Sequence, residues 1–312
     1  MRRSQPESSF LQTLHEGWRT TNENMREATS LNSRQRIGLF GGVYSNYLAL
    51  EALLDDAMKR GVQHLYCLGD LGAFGPLPDR VCRILQDARI PIVQGNYDNS
   101  IGNGLADCRC GYTDPRDNYF AKLSYDYTFQ NTNSHNKTWL QKLPPEIRIR
   151  IGPYRILLCH GSPRKMSEFL WESTTSDAFL DWLFRKYDAD IIVGTHTGLH
   201  WQRETSSGNY FINCGAIGRP PNDGQTTVVY TILDVEVIQP PNREFSLAGC
   251  GNNAIQCRLK VEFVRLDYDY DRLAFEMASQ GLPEEFIETI RTGWWTTCNE
   301  ILPGKERARG LY

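Results

Sequence analysis

Residues 36–70 read RIGLFGGVYSNYLALEALLDDAMKRGVQHLYCLGD, and the order of patterns in this stretch decides the fold. RIGLFGG is a short apolar run closed by paired glycines, the signature of a strand that ends in a tight turn. In the following NYLALEALLDDAMKRG, Leu50, Leu53, Leu54 and Met58 recur at the spacing of one helical face. HLYCLGD is apolar again at strand length. Next come DRVCRILQDAR (79–89), patterned as a helix, and IPIVQGN (90–96), patterned as a strand. Strand, helix, strand, helix, strand places helices against a sheet and makes the chain an α/β protein.

Outward from this stretch, residues 1–34 are polar and weakly patterned, and a mobile arm or a short helix is expected. Residues 99–127 contain GNGLADCRCGYTDPRDN, with enough turn formers to predict an elaborate loop. The alternation resumes with a short helix in HNKTWLQKLP (135–144), then strands in EIRIRIG (146–152) and YRILLCHG (154–161). DAFLDWLFRKY (177–187) reads as a helix. ADIIVGTH (189–196), NYFINCG (209–215) and TVVYTILDVEVI (227–238) read as strands. A surface loop is expected at 239–256, a returning strand in RLKVEFVRLDY (258–268), and two short helices after it. One domain over 35–269 with a C-terminal extension at 270–312 is the simplest organisation.

Thirty-four basic and 37 acidic residues give a net charge of −3, so no overall attraction draws the chain to nucleic acid or to an anionic membrane. MRRSQPESSF has charge without an apolar run behind it, and no run of 18 apolar residues suggests a membrane span, so a cytoplasmic location is expected. Nine cysteines are an odd number, and Cys67, Cys82, Cys159 and Cys214 lie in or beside apolar segments, where a reduced cysteine acts as a small hydrophobe.

Polar residues at the carboxyl ends of successive strands carry the chemistry, because separate loops converge at that edge of an α/β sheet. Four such ends hold metal-ligand types: Asp70 in LGDLG, Asn96 in QGNYD, His160 in LCHGSP and His196 in GTHTG. A carboxylate, an amide oxygen and two imidazoles suit a borderline divalent ion such as zinc, manganese or iron. Each residue also has a plainer reading: Asp70 as a turn residue, Asn96 as a helix cap, either histidine as a partly buried side chain. Their joint placement favours the ion. Gly69, Gly72, Gly95 and Gly161 would let backbone pass close beside it.

In this order GGVYSNYLALEAL, LGDLGAFGPLPDRV, QGNYD, CHGSPR, THTGLHW and NCGAIGRPPNDG resemble the calcineurin-like metallophosphoesterases, particularly their small phosphodiesterase branch, over roughly residues 36–235. The resemblance implies a four-layer αββα sandwich and in-line attack of metal-activated water on a phosphate mono- or diester. It maps a bridging aspartate onto Asp70 and the other ligands of one metal onto Asn96, His160 and His196. The other metal ordinarily also takes an aspartate, a histidine and the last histidine of a GHTH motif, and those positions here are Gly42, Tyr44 and Gly198. One ion is therefore expected rather than two, unless ligands outside the motif hold a second. The Tyr44 ring is a candidate filler of the vacated volume.

Tyr97 stands where the family's GNHD motif has its histidine, and its phenol, with an ordinary pKa near 10, is a poor substitute for an imidazolium acid. Tyr97, Asp98 and His200 are nonetheless the candidate catalytic residues beside Asp70, with an exposed loop position the other reading of His200. Arg116, Arg164 and Arg219 are candidate substrate contacts, since guanidinium pairs well with phosphate oxygen, and each can equally be a surface or structural arginine. Cys108 and Cys110 supply two thiols, too few for a tetrahedral site, and a covering or structural loop is the preferred role for their segment. Of the adjacent Trp294 and Trp295, one can pack on the domain while the other meets a partner or substrate, or both can be buried anchors. Two functions follow. The preferred one is a metal-dependent phosphoesterase acting on a small phosphate ester or nucleotide-like substrate. The alternative is a non-catalytic metal-binding or protein-interaction module, with an oligomer or protein partner engaged through the C-terminal extension.

Overall fold

A computed structural model describes residues 16–18, 34–238 and 256–310. The loop expected at 239–256, except Gln256, which opens a strand, and most of the polar arm lie outside the described residues. The strands are β1 (Arg34–Phe40), β2 (His64–Cys67), β3 (Glu146–Ile151), β4 (Tyr154–Cys159), β5 (Ile191–Gly194), β6 (His200–Glu204), β7 (Tyr210–Cys214), β8 (Val228–Ile238) and β9 (Gln256–Leu266). The helices are α1 (Tyr47–Lys59), α2 (Pro78–Asp87), α3 (Asn96–Gly102), α4 (Pro115–Asn131), α5 (Ser134–Gln141), α6 (Asp177–Tyr187), α7 (Tyr270–Ser279), α8 (Glu284–Thr292) and α9 (Gly304–Arg307).

Two sheets form, ordered β2-β1-β8-β9 and β3-β4-β5-β7-β6. Side chains alternate along each strand, and that alternation builds the layers. Ile37, Leu39, Leu233 and Val235 of the first sheet meet Ile156, Leu158, Ile191, Val193 and Ile212 of the second in the sandwich interior. The alternate residues of the first sheet, Phe40, Leu65, Cys67 and Ile232, pack with Leu50, Leu53 and Leu54 of α1. On the far side Leu157, Ile192 and Phe211 pack with Leu180, Leu183 and Phe184 of α6. The chain is a four-layer αββα sandwich. No helix among the described residues is long and apolar enough to cross a membrane.

Local expectations changed at four places. Leu50, Leu53 and Leu54 are fully buried, but Ala57 continues their face and Met58 is 42% exposed, because i, i+3, i+4, i+7 is the tighter fit to a 3.6-residue period. The expected loop at 99–127 holds the end of α3 and most of α4 and shrinks to 103–114. The cause is Asp114-Pro115: the Asp114 carboxylate accepts from the amides of Arg116 at 2.7 Å and Asp117 at 3.3 Å, so a pair readable as a turn is an N-cap followed by proline at N1. Strand β6 was not foreseen, since in HWQRE only Trp201 is buried and the apolar signal is minimal. Finally, Trp18 is buried, its indole N–H donating to the carbonyl of Leu54 at 3.0 Å, so part of the N-terminal segment packs on α1.

Candidate metal centre

Strands β1 and β2 run parallel, as do β4, β5 and β7, so their carboxyl ends share one edge of the sandwich. Asp70 follows β2, Asn96 opens α3, His160 follows β4 and His196 follows β5. All four side chains are buried. Ligand atoms of Asp70, His160 and His196 lie within 4.8 Å of one another, and among the described residues this is the one such cluster of three or more acidic, histidine or cysteine side chains.

Glycine makes the approach feasible. Gly69 has φ +86°, and a Cβ there would lie 2.3 Å from the amide nitrogen of Gly95. A Cβ on Gly95 would lie 2.4 Å from both the amide nitrogen and Oδ1 of Asp70. Asp70 and His196 themselves adopt left-handed backbone, with φ of +57° and +65°. Each costs of order 1–3 kcal/mol, and local hydrogen bonds oppose that strain. Asn213 holds the turn around His196, its Nδ2 donating to Thr195 O at 2.9 Å and Thr197 Oγ1 at 3.0 Å.

The ring nitrogens are assigned by their partners. Nδ1 of His160 lies 2.6 Å from the carbonyl oxygen of Leu68, and Nε2 of His196 lies 3.1 Å from that of Cys110. A carbonyl only accepts, so these nitrogens carry the protons. The opposite nitrogens then present lone pairs toward each other: His160 Nε2 is 3.2 Å from His196 Nδ1 and 3.3 Å from Asp70 Oδ2. Three electron-rich atoms converge, and only a cation or an added proton relieves their repulsion. Burial lowers the pKa of His160, but neighbouring Asp70 outweighs burial and raises it. Burial raises Asp70, yet His160 holds it below the carboxylate range. His196 is pushed down to about 3 by burial and by charge on His160.

These residues fit a divalent transition ion. Both imidazoles donate their far N–H to a backbone carbonyl, the arrangement that orients ligating histidines. Asn96 adds an independent sign: its Nδ2 donates to Cys108 O at 2.9 Å, while its buried Oδ1 has no hydrogen-bond partner.

The other candidate residues are distributed unevenly. Asp98 accepts from the amides of Asp70 and Gly95 at 2.8 Å each and Leu71 at 3.0 Å, tying two strand-end loops together. Burial, and then the charge of Asp70, raises its pKa to about 6. Tyr97 donates its backbone amide to Asp70 Oδ1 at 3.0 Å, whereas its hydroxyl meets Ser124 on α4 at 3.0 Å. The ring of His200 packs on Phe263, with centroids 4.8 Å apart, and faces a surface cavity with Asn222, Arg265 and Arg309. Arg116 donates to the carbonyl of Thr296 at 2.6 Å, and Arg164 is engaged by Glu168 at 2.9 Å; both are exposed. Arg219 is buried, its guanidinium 3.5 Å above the Trp295 ring. Tyr44 is also buried, edge-on to Phe74.

Some contacts at the centre have no signature in the sequence. Cys108 and Cys110 form a disulfide, and their segment reaches the centre through the backbone carbonyls and Cys110 Sγ facing Asn96 and His196. Phe169 lies against His196, ring centroids 4.3 Å apart. Nothing in a lone phenylalanine or a carbonyl oxygen marks it in advance.

A family model described as the calcineurin-like phosphoesterase superfamily domain matches residues 36–236. An uncharacterized protein of Methanocaldococcus jannaschii is 24% identical over 269 residues, spanning 83% of this chain and 99% of that protein. A metallophosphoesterase from Sphaerobacter thermophilus is similar in fold, with a TM-score of 0.58 and 24% identity over 83% of this chain and 99% of its own. A hypothetical protein from Pyrococcus horikoshii gives 0.64 and 19% identity over 83% and 98%.

Proposed function

This chain belongs to the calcineurin-like phosphoesterase superfamily, and from that premise we propose that it hydrolyses a small phosphomonoester or phosphodiester, such as a nucleotide derivative, with one divalent manganese, iron or zinc ion. Asp70, Asn96, His160 and His196 hold the ion. The convergence of Asp70 Oδ2, His160 Nε2 and His196 Nδ1 as lone-pair donors is the observation that carries the reading. Bound there, the ion supplies Lewis acidity and acidifies water at neutral pH. Asp98 positions the loops, and Tyr97 positions the Asp70 carboxylate through its amide. Phe169 and the Cys110 carbonyl shield His196 from solvent.

Metal analysis and a phosphate-ester screen on wild type and Asp70→Ala test this. The expected result is about one ion per chain and metal-dependent phosphate release in the wild type, both lost in the variant. Unchanged turnover by Asp70→Ala would end the proposal.

A second reading has its own support: the buried Tyr44 ring lies beside Gly42, where a Cβ would come within 2.9 Å of its hydroxyl. On this reading the chain is a non-catalytic metal-binding or protein-interaction module. It predicts one bound ion and no phosphate release across a broad screen.

A further inference from the structure

Residues 106–113 lie against the metal centre outside any helix or strand, and among the described residues none of their backbone groups hydrogen-bonds another backbone group. A segment of that kind opens locally at low cost unless something else fastens it. Here the Cys108–Cys110 disulfide lies within the segment, which also contacts two of the four candidate ligands. Cys108 O and Cys110 Sγ accept from Asn96 Nδ2 at 2.9 and 3.3 Å, and Cys110 O accepts from His196 Nε2 at 3.1 Å. Tyr112 adds a ring contact to Phe169, centroids 5.7 Å apart, and Phe169 in turn covers His196.

The crosslink supports this arrangement from within. Between the two cysteines, Arg109 is exposed and holds left-handed backbone at φ +51°, a conformation that a residue with a side chain keeps only when its surroundings impose it. Joining the sulfurs across Arg109 keeps the carbonyls of Cys108 and Cys110 turned inward to Asn96 and His196. A crosslink's effect on global stability grows with the loop it closes, so a ring this small acts locally. Cys108 and Cys110 are buried, but Asp107, Arg109 and Gly111 beside them are exposed, which puts the pair just beneath the surface. Cys67, Cys82, Cys159, Cys214 and Cys298 are buried free thiols.

We propose that the Cys108–Cys110 disulfide is a reversible modification site, a latch that a dithiol opens, releasing residues 106–113 from Asn96 and His196. A thiolate of the dithiol attacks one cysteine sulfur and the Cys108–Cys110 bond breaks, the second cysteine leaving as a thiolate and taking up a proton. The dithiol's other thiol then displaces the first cysteine from the mixed disulfide. The protein gains two electrons and ends with both thiols free, and the dithiol ends as its own disulfide. Unlinked, Arg109 relaxes to ordinary backbone and the carbonyls lose their hold on the two ligands. Faster exchange of a bound ion is the consequence that rests on the proposed function; the latch itself rests on the contacts to Asn96 and His196.

The test is hydrogen exchange, read by mass spectrometry on the chelator-treated full chain, oxidised in air or reduced with dithiothreitol. Alkylation and peptide mapping report the state of each cysteine. Without denaturant, dithiothreitol should make Cys108 and Cys110 alkylatable while the buried free thiols stay protected. Amide exchange in 103–114 should then rise about tenfold, the factor that freeing one residue from left-handed backbone corresponds to, with β4 and β5 unchanged. Cys108→Ser should exchange at the reduced rate with or without dithiothreitol. An air-oxidised chain with both thiols free, exchange in 103–114 that reduction leaves unchanged, or exchange that rises equally in β4 and β5 overturns the proposal. Manganese-loaded protein separates the latch from the metal-centred function: chelator should strip the ion faster from Cys108→Ser than from oxidised wild type, and equal rates overturn the latch as a gate on the ion. If 103–114 responds to reduction but manganese binds in neither state, the metal-centred function fails and the latch stands. If manganese binds and 103–114 does not respond, the latch fails and that function stands.

Discussion

Nδ2 of Asn96 lies 3.3 Å from Sγ of Cys110, so the amide nitrogen of Asn96 is engaged by the 103–114 loop while its buried oxygen has no partner. A buried carbonyl oxygen left unsatisfied costs about 1–3 kcal/mol. A cation shared with Asp70, His160 and His196 removes that cost. Asn96→Ala should therefore weaken metal binding by at least about tenfold, since even outer-sphere partners of ligands are worth 10–100-fold. Chelator competition against wild type measures this, and equal affinity would exclude Oδ1 as a ligand.

Gly95 sits in extended backbone, φ −88° and ψ 172°, that any residue can adopt, yet its Cβ would overlap Asp70 and come within 3.0 Å of His160 Cε1. Gly95→Ala should cost about 1–3 kcal/mol by overpacking and lose the metal with it. Gly104→Ala is the control: φ is +64° and nothing lies within 4 Å, so about 1–2 kcal/mol of backbone strain is expected with metal content unchanged. Urea unfolding and metal analysis of both variants separate contact from strain.

The sandwich was legible because its strands are apolar runs that end on a glycine or a polar residue, and the same grammar marked Asp70, Asn96, His160 and His196. What the sequence could not carry were relations made by backbone atoms: the carbonyls of Leu68 and Cys110 that fix the imidazole tautomers have no side-chain signature. Tyr97 and His200 show a second limit. Their side-chain directions depend on α4 and β9, elements distant in sequence, and Ser124 and Phe263 draw them to other contacts. Trp295 illustrates a third: the tryptophan pair was conspicuous, but only the fold places one ring over Arg219.

Trp18 tests whether the N-terminal segment contributes to the domain. It is 1% exposed and donates to the Leu54 carbonyl, so Trp18→Ala should destabilise by about 3–5 kcal/mol. Trp18→Phe keeps most of the apolar contact and loses the N–H donor, so a smaller cost of about 1 kcal/mol is expected from the hydrogen bond. Denaturant melts of the full chain decide it. A loss below about 1 kcal/mol in Trp18→Ala would show that the segment is dispensable.

Asp234 on β8 clasps the start of β1: its carboxylate accepts from Arg34 Nε at 2.9 Å and Nη2 at 2.6 Å, and Arg36 Nε is 3.3 Å away. The Arg34 hydrogen bonds, helped by the charges of both arginines and opposed by burial, hold its pKa below the ordinary carboxylate value. The folded value is therefore lower than the unfolded one, near 3.9. Its stabilisation is complete above the unfolded value and disappears as pH falls through the folded value. Because Arg34 is 57% exposed, solvent screening limits the contribution to about 1 kcal/mol or less. The stability difference between wild type and Asp234→Asn should be present at pH 7 and shrink steadily as the pH is taken below about 4. Urea titrations across that range measure it, and a difference that does not vary with pH would mean that the carboxylate's charge is not what joins β8 to β1.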